Sequence, residues 1–197
     1  MQTKFLLTLF FAISVSVIFT PLHVSAQEEK TQTSTSSAKK SISQTTEYTL
    51  PYPGMLPDSP IYKIKTLRDK VISFLITDPQ KKVNFHLLQA NKGILGGAML
   101  TEKKNYPLAI ETFLKAEHNM TLIPEQIRRL QEKPDNEFFK QLVLASQKHQ
   151  EILTATIKQS PKNEKKSLEQ VLSFSKQNQT TIEKYQKKNP LRWNEWN

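Results

Sequence analysis

The sequence predicts an all-α fold, an elongated antiparallel bundle of about five helices that is entered through an extended, proline-rich strap. Apolar residues recur at spacings of three and four along five segments, which is the period of an amphipathic helix. No segment shows sustained alternation of apolar and polar residues, the period of a half-buried strand. The 197 residues include only four glycines, so the tight turns that join β-hairpins are scarce.

The strap covers the run from Tyr48 to Pro57. Its prolines force an extended path, because the ring restricts both its own backbone and that of the preceding residue. Apolar side chains are interleaved with these prolines, which predicts that the strap packs on the bundle. These apolar residues are Leu50, Tyr52, Met55 and Leu56.

Helix starts are marked by a repeated device, a capping side chain followed directly by proline. The cap accepts a hydrogen bond from a free backbone N–H, and proline at the first helical position loses nothing. The device occurs at Ser59-Pro60, Asp78-Pro79 and Ser160-Pro161, and Asn105 and Asp135 are two further predicted caps. These positions divide the chain into five helices.

The first helix, over about 60–76, carries the stripe expected of a helix that packs on a core. Its members are Ile61, Ile64, Leu67, Val71, Phe74 and Leu75. The second, over about 79–103, has a stripe of Val83, Leu87, Ala90, Ile94 and Ala98. Gly96 and Gly97 lie inside it and cost roughly 1 kcal/mol each relative to alanine, so they predict a close helix crossing or a kink.

The third helix has the most regular apolar period, from Ala109 to Leu130, and Pro124 should bend or split it. The fourth and fifth, over about 136–159 and 161–188, are predicted to form a long hairpin that turns between Gln159 and Asn163. Short connections imply antiparallel neighbours throughout.

A leader precedes this domain. Residues 1–26 begin with Lys4 as their only charge, continue in an apolar run from Phe5 to Phe19, and end in Val24-Ser25-Ala26. A positive start, an apolar middle and an A-x-A-like end make a secretory signal. The run of about 15 apolar residues is short for a membrane span of roughly 20, so we expect cleavage after Ala26. The alternative is an uncleaved N-terminal membrane anchor.

The signal predicts an extracytoplasmic protein, secreted or on the cell surface. The chain has no cysteine, so it does not use the disulfides that an oxidising compartment permits. Residues 27–47 are almost devoid of apolar side chains and predict a disordered polar tether. The helical domain is expected over 48–188, and a basic tail over 189–197 carries Trp193 and Trp196, which could insert at a membrane interface, grip a partner or fold back on the bundle.

Without the leader the chain carries a net charge of about +9, from 27 lysines and arginines (28 minus Lys4) against 18 acidic residues. A basic field favours anionic partners: lipid headgroups, anionic wall polymers or nucleic acid, of which export makes nucleic acid the least favoured. The alternative is a solvated helix face. The candidate patch lies in the last helix and consists of Lys162, Lys165, Lys166, Lys176, Lys184, Lys187 and Lys188.

The entry to the helical domain, from Leu56 to Tyr62, resembles that of an uncharacterised family of exported prokaryotic all-helical domains with a Leu-Pro-x-Ser-Pro-x-Tyr motif. The resemblance spans about Thr49 to Tyr185. It implies an exported helical domain of unknown function and supplies no catalytic residues. The motif residues are Pro51, Pro53, Gly54, Pro57, Ser59, Pro60, Tyr62, Asp78 and Pro79.

Three histidines follow the leader: His86, His118 and His149. They lie on separate helices without an acidic partner at ligand spacing, so a metal site would need tertiary convergence. His149 lies on the apolar seam of the fourth helix, opposite Phe174 or Ser175 when residues are counted from the hairpin turn. It is interpreted as a buried residue bonded across the hairpin, or as a weak candidate for a metal, ligand or pH sensor. Some members of the resembling family have a histidine near Gln179, which this chain lacks.

No enzymatic chemistry and no cofactor are predicted. Glutamates such as Glu102, Glu111 and Glu117 are expected on polar helix faces, whereas paired carboxylate catalysis needs two to converge in a cleft. The sequence has no Gly-x-Ser-x-Gly elbow and no cysteine nucleophile.

The sequence therefore favours an exported, non-enzymatic cell-envelope interaction or scaffold domain, whose partner is an anionic envelope component or another envelope protein. The alternative is a ligand- or metal-responsive extracytoplasmic sensor that uses the last hairpin and His149. A third hypothesis rests on the run from Tyr106 to Ala116, which is similar to a tetratricopeptide-repeat helix and would imply a peptide groove between the second and third helices. No matching unit recurs at the period of about 34 residues that such repeats require.

Overall fold

Residues 46–188 are described in a computed structural model of the chain, and they are all-helical, as predicted. Five helices follow one another: α1 (Tyr62–Leu75), α2 (Pro79–Glu102), α3 (Tyr106–Arg128), α4 (Asn136–Gln159) and α5 (Lys162–Lys187). No strand occurs between residues 46 and 188. The predicted leader, nearly all of the tether and the Trp-containing tail lie outside the described residues.

Helices α2 to α5 form the bundle. Both α2 and α5 pack on α3 and on α4, so each helix has two neighbours around a shared core. Contacts join Gly97 to Phe113 and His86 to Asn119, and this opposite numbering shows that α2 and α3 are antiparallel. The largest fully buried apolar side chains are Ile94, Leu100, Phe113, Met120, Ile123, Ile127, Phe139, Leu142, Leu153, Leu168 and Ile182.

Glycines set the close approach of α2 to α3. A Cβ atom on Gly97 would lie 2.5 Å from Cε1 of Phe113, and one on Gly93 would lie 2.7 Å from Cβ of Ala116. Helix α2 is continuous through these positions. Of the two predictions made from the Gly96-Gly97 pair, the close helix crossing is therefore correct, and the helix does not break there.

Helix α1 departs from the prediction. It is shorter than the expected 60–76 and contains no buried residue. Its apolar stripe faces solvent, while Tyr62, Lys65 and Asp69 on its polar side face α2 and α3 across a cleft. The expectation that the stripe packs on a core is wrong, because α2 to α5 already enclose a filled core that α1 cannot join.

Two predicted caps are confirmed. Asp78 Oδ1 accepts a hydrogen bond from the backbone N–H of Lys81 at 2.8 Å, and Pro79 occupies the first turn of α2. Asp135 Oδ1 accepts from the backbone N–H of Phe138 at 2.8 Å. Both carboxylates satisfy an N–H that has no partner within its helix.

The other three caps are wrong. Asn105 precedes α3 but makes no side-chain cap bond. Ser59 and Ser160 stand too far upstream, because the N-cap positions of α1 and α5 fall at Ile61 and Pro161. Ser160 Oγ instead donates to a carbonyl in the last turn of α4, where it ends one arm of the predicted hairpin.

The strap packs on the bundle for most of its length. Leu56 and Pro53 are buried, and Leu50 packs against the core. Tyr52 is 69% exposed, so its predicted packing is wrong. Gly54 adopts a φ of 70°, a left-handed conformation that glycine accepts without steric cost.

Helix α3 runs unbroken through Pro124. The proline lies within the final turns of the helix, and the predicted split does not occur. Among residues 46–188, no helix combines the length and the apolarity needed to cross a bilayer.

Candidate functional site

His149 lies in the centre of the bundle and has no exposed surface. Its Nδ1 lies 3.0 Å from Oε1 of Glu117 on α3, and its Nε2 lies 2.9 Å from Oδ1 of Asn91 on α2. The predicted burial is therefore correct, but the predicted partner across the hairpin is wrong. Phe174, one of the two residues expected opposite it, is 38% exposed.

Glu117 connects this histidine to α5. The carboxylate is only 2% exposed, and its Oε2 accepts a hydrogen bond from Nδ2 of Asn178 at 2.8 Å. Asn178 Oδ1 accepts in turn from the hydroxyl of Thr121 at 3.0 Å. The prediction that Glu117 sits on a polar helix face is wrong, because this carboxylate occupies the core side of α3.

Asn91 extends the same network to the strap. Its Nδ2 donates to the hydroxyl of Tyr48 at 2.7 Å, which leaves its Oδ1 to face His149. Burial raises the pKa of the Tyr48 hydroxyl, against the opposing effect of the bond from Asn91, so the phenol stays protonated at neutral pH. One polar network thus joins the strap to α2, α3, α4 and α5.

The network determines what His149 can do chemically. Glu117 accepts hydrogen bonds when ionised, and the amide oxygen of Asn91 only accepts. Both ring nitrogens lie within hydrogen-bond distance of an oxygen, so neither faces open space. A metal needs a lone pair on one of these nitrogens, and among residues 46–188 no group of three histidine, cysteine or acidic side chains is placed to hold an ion.

A second buried charge lies one residue earlier on α4. Lys148 has no exposed surface, and its Nζ lies 3.3 Å from Oε1 of Glu151. Glu151 Oε2 also accepts a hydrogen bond from the backbone N–H of Thr46 at 3.2 Å. The residue two positions before the strap therefore contacts this ion pair, and Tyr48 at the start of the strap contacts the His149 network.

The sequence offered a usable indication of this network. Asn91, Glu117 and Asn178 each lie three or four positions from buried apolar residues of their own helices. A polar side chain at such a position points into the core. The pattern does not show which of these polar side chains bond to one another, because the partners lie 32 to 61 positions apart along the chain.

The entry motif ties α1 to the strap. Lys65 Nζ donates to the carbonyl oxygens of Pro53 and Met55 at 3.0 and 3.1 Å, and it lies 5.2 Å from the ring centre of Tyr62. Burial lowers the pKa of Lys65, and the nearby Lys92 adds to this effect. Asp58 extends the link to α2 through an ion pair with Lys103 at 2.6 Å.

The remaining motif residues have structural positions. Pro51 lies in the extended strap, Pro57, Ser59 and Pro60 in the turns before α1, and Asp78 and Pro79 at the start of α2. The motif therefore builds the strap and the two helix starts that follow it.

A cleft separates α1 from the bundle. It has a volume of about 530 Å³ and is lined by the strap, the polar side of α1, and the outer faces of α2 and α3. Its charged and titratable residues are Tyr62, Lys65, Asp69, Lys70, His86, Lys92, Lys115 and His118. Helices α2 and α3 line one side of this cleft, as the peptide-groove hypothesis requires, and α1 and the strap form its other side.

The lysine patch occupies one face of α5. With about 100° of rotation per residue, the six lysines from Lys162 to Lys187 fall within an arc of about 100°. Buried side chains, Leu168, Val171, Ser175, Asn178 and Ile182, lie on the opposite side of the helix. Lys188 follows the helix and contributes its carbonyl oxygen to Lys133 Nζ at 2.6 Å.

A family model described as a domain of unknown function (DUF5667) matches residues 54–191. No curated protein and no solved structure matches the chain.

Proposed function

The chain belongs to the family of the domain of unknown function DUF5667, and from this premise we propose that it is an exported, non-enzymatic interaction or scaffold domain of the cell envelope. The leader over residues 1–26 is predicted to direct its export. Its predicted partners are anionic envelope components or another envelope protein. Sequencing the N-terminus of the exported protein tests whether the leader is cleaved after Ala26. We expect Gln27 as the first residue, and recovery of the intact leader would favour the anchored form.

The observation that carries the proposal is the lysine face of α5. Lys162, Lys166, Lys176, Lys184 and Lys187 are exposed, and they run along about 37 Å of one helix at 1.5 Å per residue. Glu169 is the acidic residue that interrupts the stripe, and Glu183 stands at its edge. A row of like charges along one face of a stable helix presents a field to an extended polyanion, whereas scattered lysines only aid solubility.

The test is binding of the full chain to an isolated phosphate-containing wall polymer. A variant with Lys176→Gln and Lys184→Gln should lose most of the affinity, and the loss should shrink as salt screens the charges. The matched control replaces two exposed lysines of other helices, Lys81→Gln and Lys140→Gln, and removes the same net charge. Equal losses in the two variants, or no binding by the unmodified chain and no protein partner recovered with it, would contradict the proposal.

The alternative function is a ligand- or metal-responsive sensor centred on His149. The observation in its favour is that His149 and Glu117 link α2, α3, α4 and α5. A change in the charge of this pair would therefore alter hydrogen bonds to all four helices. Isothermal titration with zinc, copper and nickel tests it, with His149→Ala compared with the exposed control His118→Ala. A site that only His149→Ala removes would support the sensor, and equal or absent binding in all three proteins would end that hypothesis.

A further inference from the structure

Helix α1 is amphipathic in the opposite sense from the other helices. Its polar side faces the bundle, and its apolar stripe faces solvent. Phe74 is 85% exposed, Ile64 70%, Leu75 68% and Leu67 64%. Exposure of single apolar side chains is ordinary, but a contiguous patch on a surface helix marks an interaction site.

Contacts on the polar side hold this orientation. Lys65 binds two strap carbonyl oxygens, and Tyr62, Thr66 and Asp69 line the cleft below. Rotating α1 to bury its stripe would break both hydrogen bonds of Lys65 and move its ammonium group away from the strap. The stripe is therefore directed outward by the fold.

Basic residues flank the stripe. Helix α1 contains Lys63, Lys65, Arg68 and Lys70 against a single acid, Asp69, a net charge of +3 (4 minus 1). Lys63 and Lys70 are seven positions apart and lie along one edge of the stripe, and Arg68 lies near the other edge. All three are exposed, although the Arg68 guanidinium also bonds Asp69 at 2.8 Å.

We propose that α1 docks on the surface of an anionic lipid bilayer. An apolar stripe with phenylalanine and leucine on one side and lysine and arginine at its borders is the pattern of a helix that lies in the membrane interface, with its apolar face about 5–10 Å below the headgroup level. The flanking cations meet anionic headgroups while the apolar side chains enter the acyl region. At about 21 Å, the helix is far too short to span, so it lies in the plane of the membrane.

A second copy of this chain is a poorer occupant. A two-fold symmetric contact would place the stripe against its own image. Lys63, Lys70 and Arg68 would then border the same interface twice, with like charges on both sides and no acid of α1 opposite them except Asp69, which faces the cleft. An anionic bilayer satisfies the apolar and the charged parts of this surface together.

The inference rests on the proposed function in one respect, because an envelope domain has a membrane beside it. The two surfaces are nevertheless separate. The lysine face belongs to α5, which packs on α3 and α4, whereas α1 lies over the outer side of α2 and α3. Loss of one interaction is therefore distinguishable from loss of the other.

The test exploits the absence of cysteine from the chain. An environment-sensitive fluorophore is attached to Phe74→Cys in the full chain, and to Lys140→Cys on α4 as the matched control. With vesicles of phosphatidylglycerol and phosphatidylcholine, the α1 label should shift to the blue and become protected from an aqueous quencher, and the α4 label should do neither. Because the label reports its own position, the result is independent of any vesicle binding by the leader.

Two outcomes overturn the proposal. One is an unchanged α1 label when the vesicles bind the chain. The other is a blue shift without vesicles that grows with protein concentration, which would identify a second copy as the occupant. Protection that is equal with phosphatidylcholine alone would refute the anionic part of the proposal.

Variants supply the magnitude. Leu67→Gln with Phe74→Gln should lower vesicle partitioning of α1, measured with the label at Leu75→Cys, at least tenfold, because two large side chains no longer enter the acyl region. Lys70→Gln should lower it roughly fivefold. Lys140→Glu on α4, an exposed lysine outside both proposed surfaces, should leave it unchanged, and an equal loss in that variant would show that general charge, not α1, governs the binding.

Discussion

Replacing His149 with alanine should destabilise the domain more than any surface change of similar size. The change leaves Oε1 of Glu117 and Oδ1 of Asn91 without their partner, at distances of 3.0 and 2.9 Å in the native protein. A buried acceptor without a donor costs about 1–3 kcal/mol, and the change leaves two of them. We expect a loss of at least about 3 kcal/mol, out of a total stability on the order of 5–15 kcal/mol.

Urea unfolding followed by circular dichroism measures this loss. His118→Ala is the matched control, because His118 is exposed and surface changes usually stay within about 0.5 kcal/mol. A double variant, His149→Leu with Glu117→Leu, should lose less than the sum of its single variants, since it leaves no unpaired charge in the core. A loss below about 1 kcal/mol for His149→Ala, or strict additivity in the cycle, would refute the reasoning.

The remaining predictions concern backbone packing, capping and pH, and each is read from the same unfolding measurement. Gly97→Ala should cost about 1–3 kcal/mol, because its Cβ would lie 2.5 Å from a buried aromatic ring, whereas Gly96→Ala meets nothing nearer than 3.5 Å and should stabilise α2 by up to roughly 1 kcal/mol; the same sign for both would contradict this account. Asp78→Ala should cost about 1 kcal/mol by removing a cap, and Asn105→Ala, which removes none, should be close to neutral. Burial lowers the pKa of His86 below its usual 6.5, so His86 binds a proton at a higher pH in the unfolded chain than in the folded chain. The stability of the domain should therefore fall as the pH drops below about 6.5. His86→Gln should weaken this dependence, and an unchanged pH profile would show that His86 does not contribute.

Local features of the sequence predicted the helices well. The confirmed caps at Asp78 and Asp135 need a side chain only three residues from the N–H that it binds, so sequence alone contains both partners. The serines failed for a related reason. Ser59 and Ser160 look identical to caps in sequence, and only the point at which helical backbone begins separates a cap from a residue just upstream.

The His149 network was half predictable. Periodicity placed His149 on a buried seam, and it would have placed Glu117 there too, since Phe113 and Met120 lie four positions before it and three after it on the same helix. The identity of the partners was not accessible, because symmetric counting from the hairpin turn considers α4 and α5 alone. In the bundle the ring points past α5 to α2 and α3.

The sequence by itself determined the number of helices, their order and the amphipathic stripe of each, because these depend on spacings of three and four residues within one segment. Only the tertiary structure decided which way a stripe faces. Helix α1 has an apolar stripe, as α3 does, yet four other helices complete the core and Lys65 is held by the strap. Burial is a property of the whole fold, and the same local pattern therefore became core in α3 and an outer surface in α1.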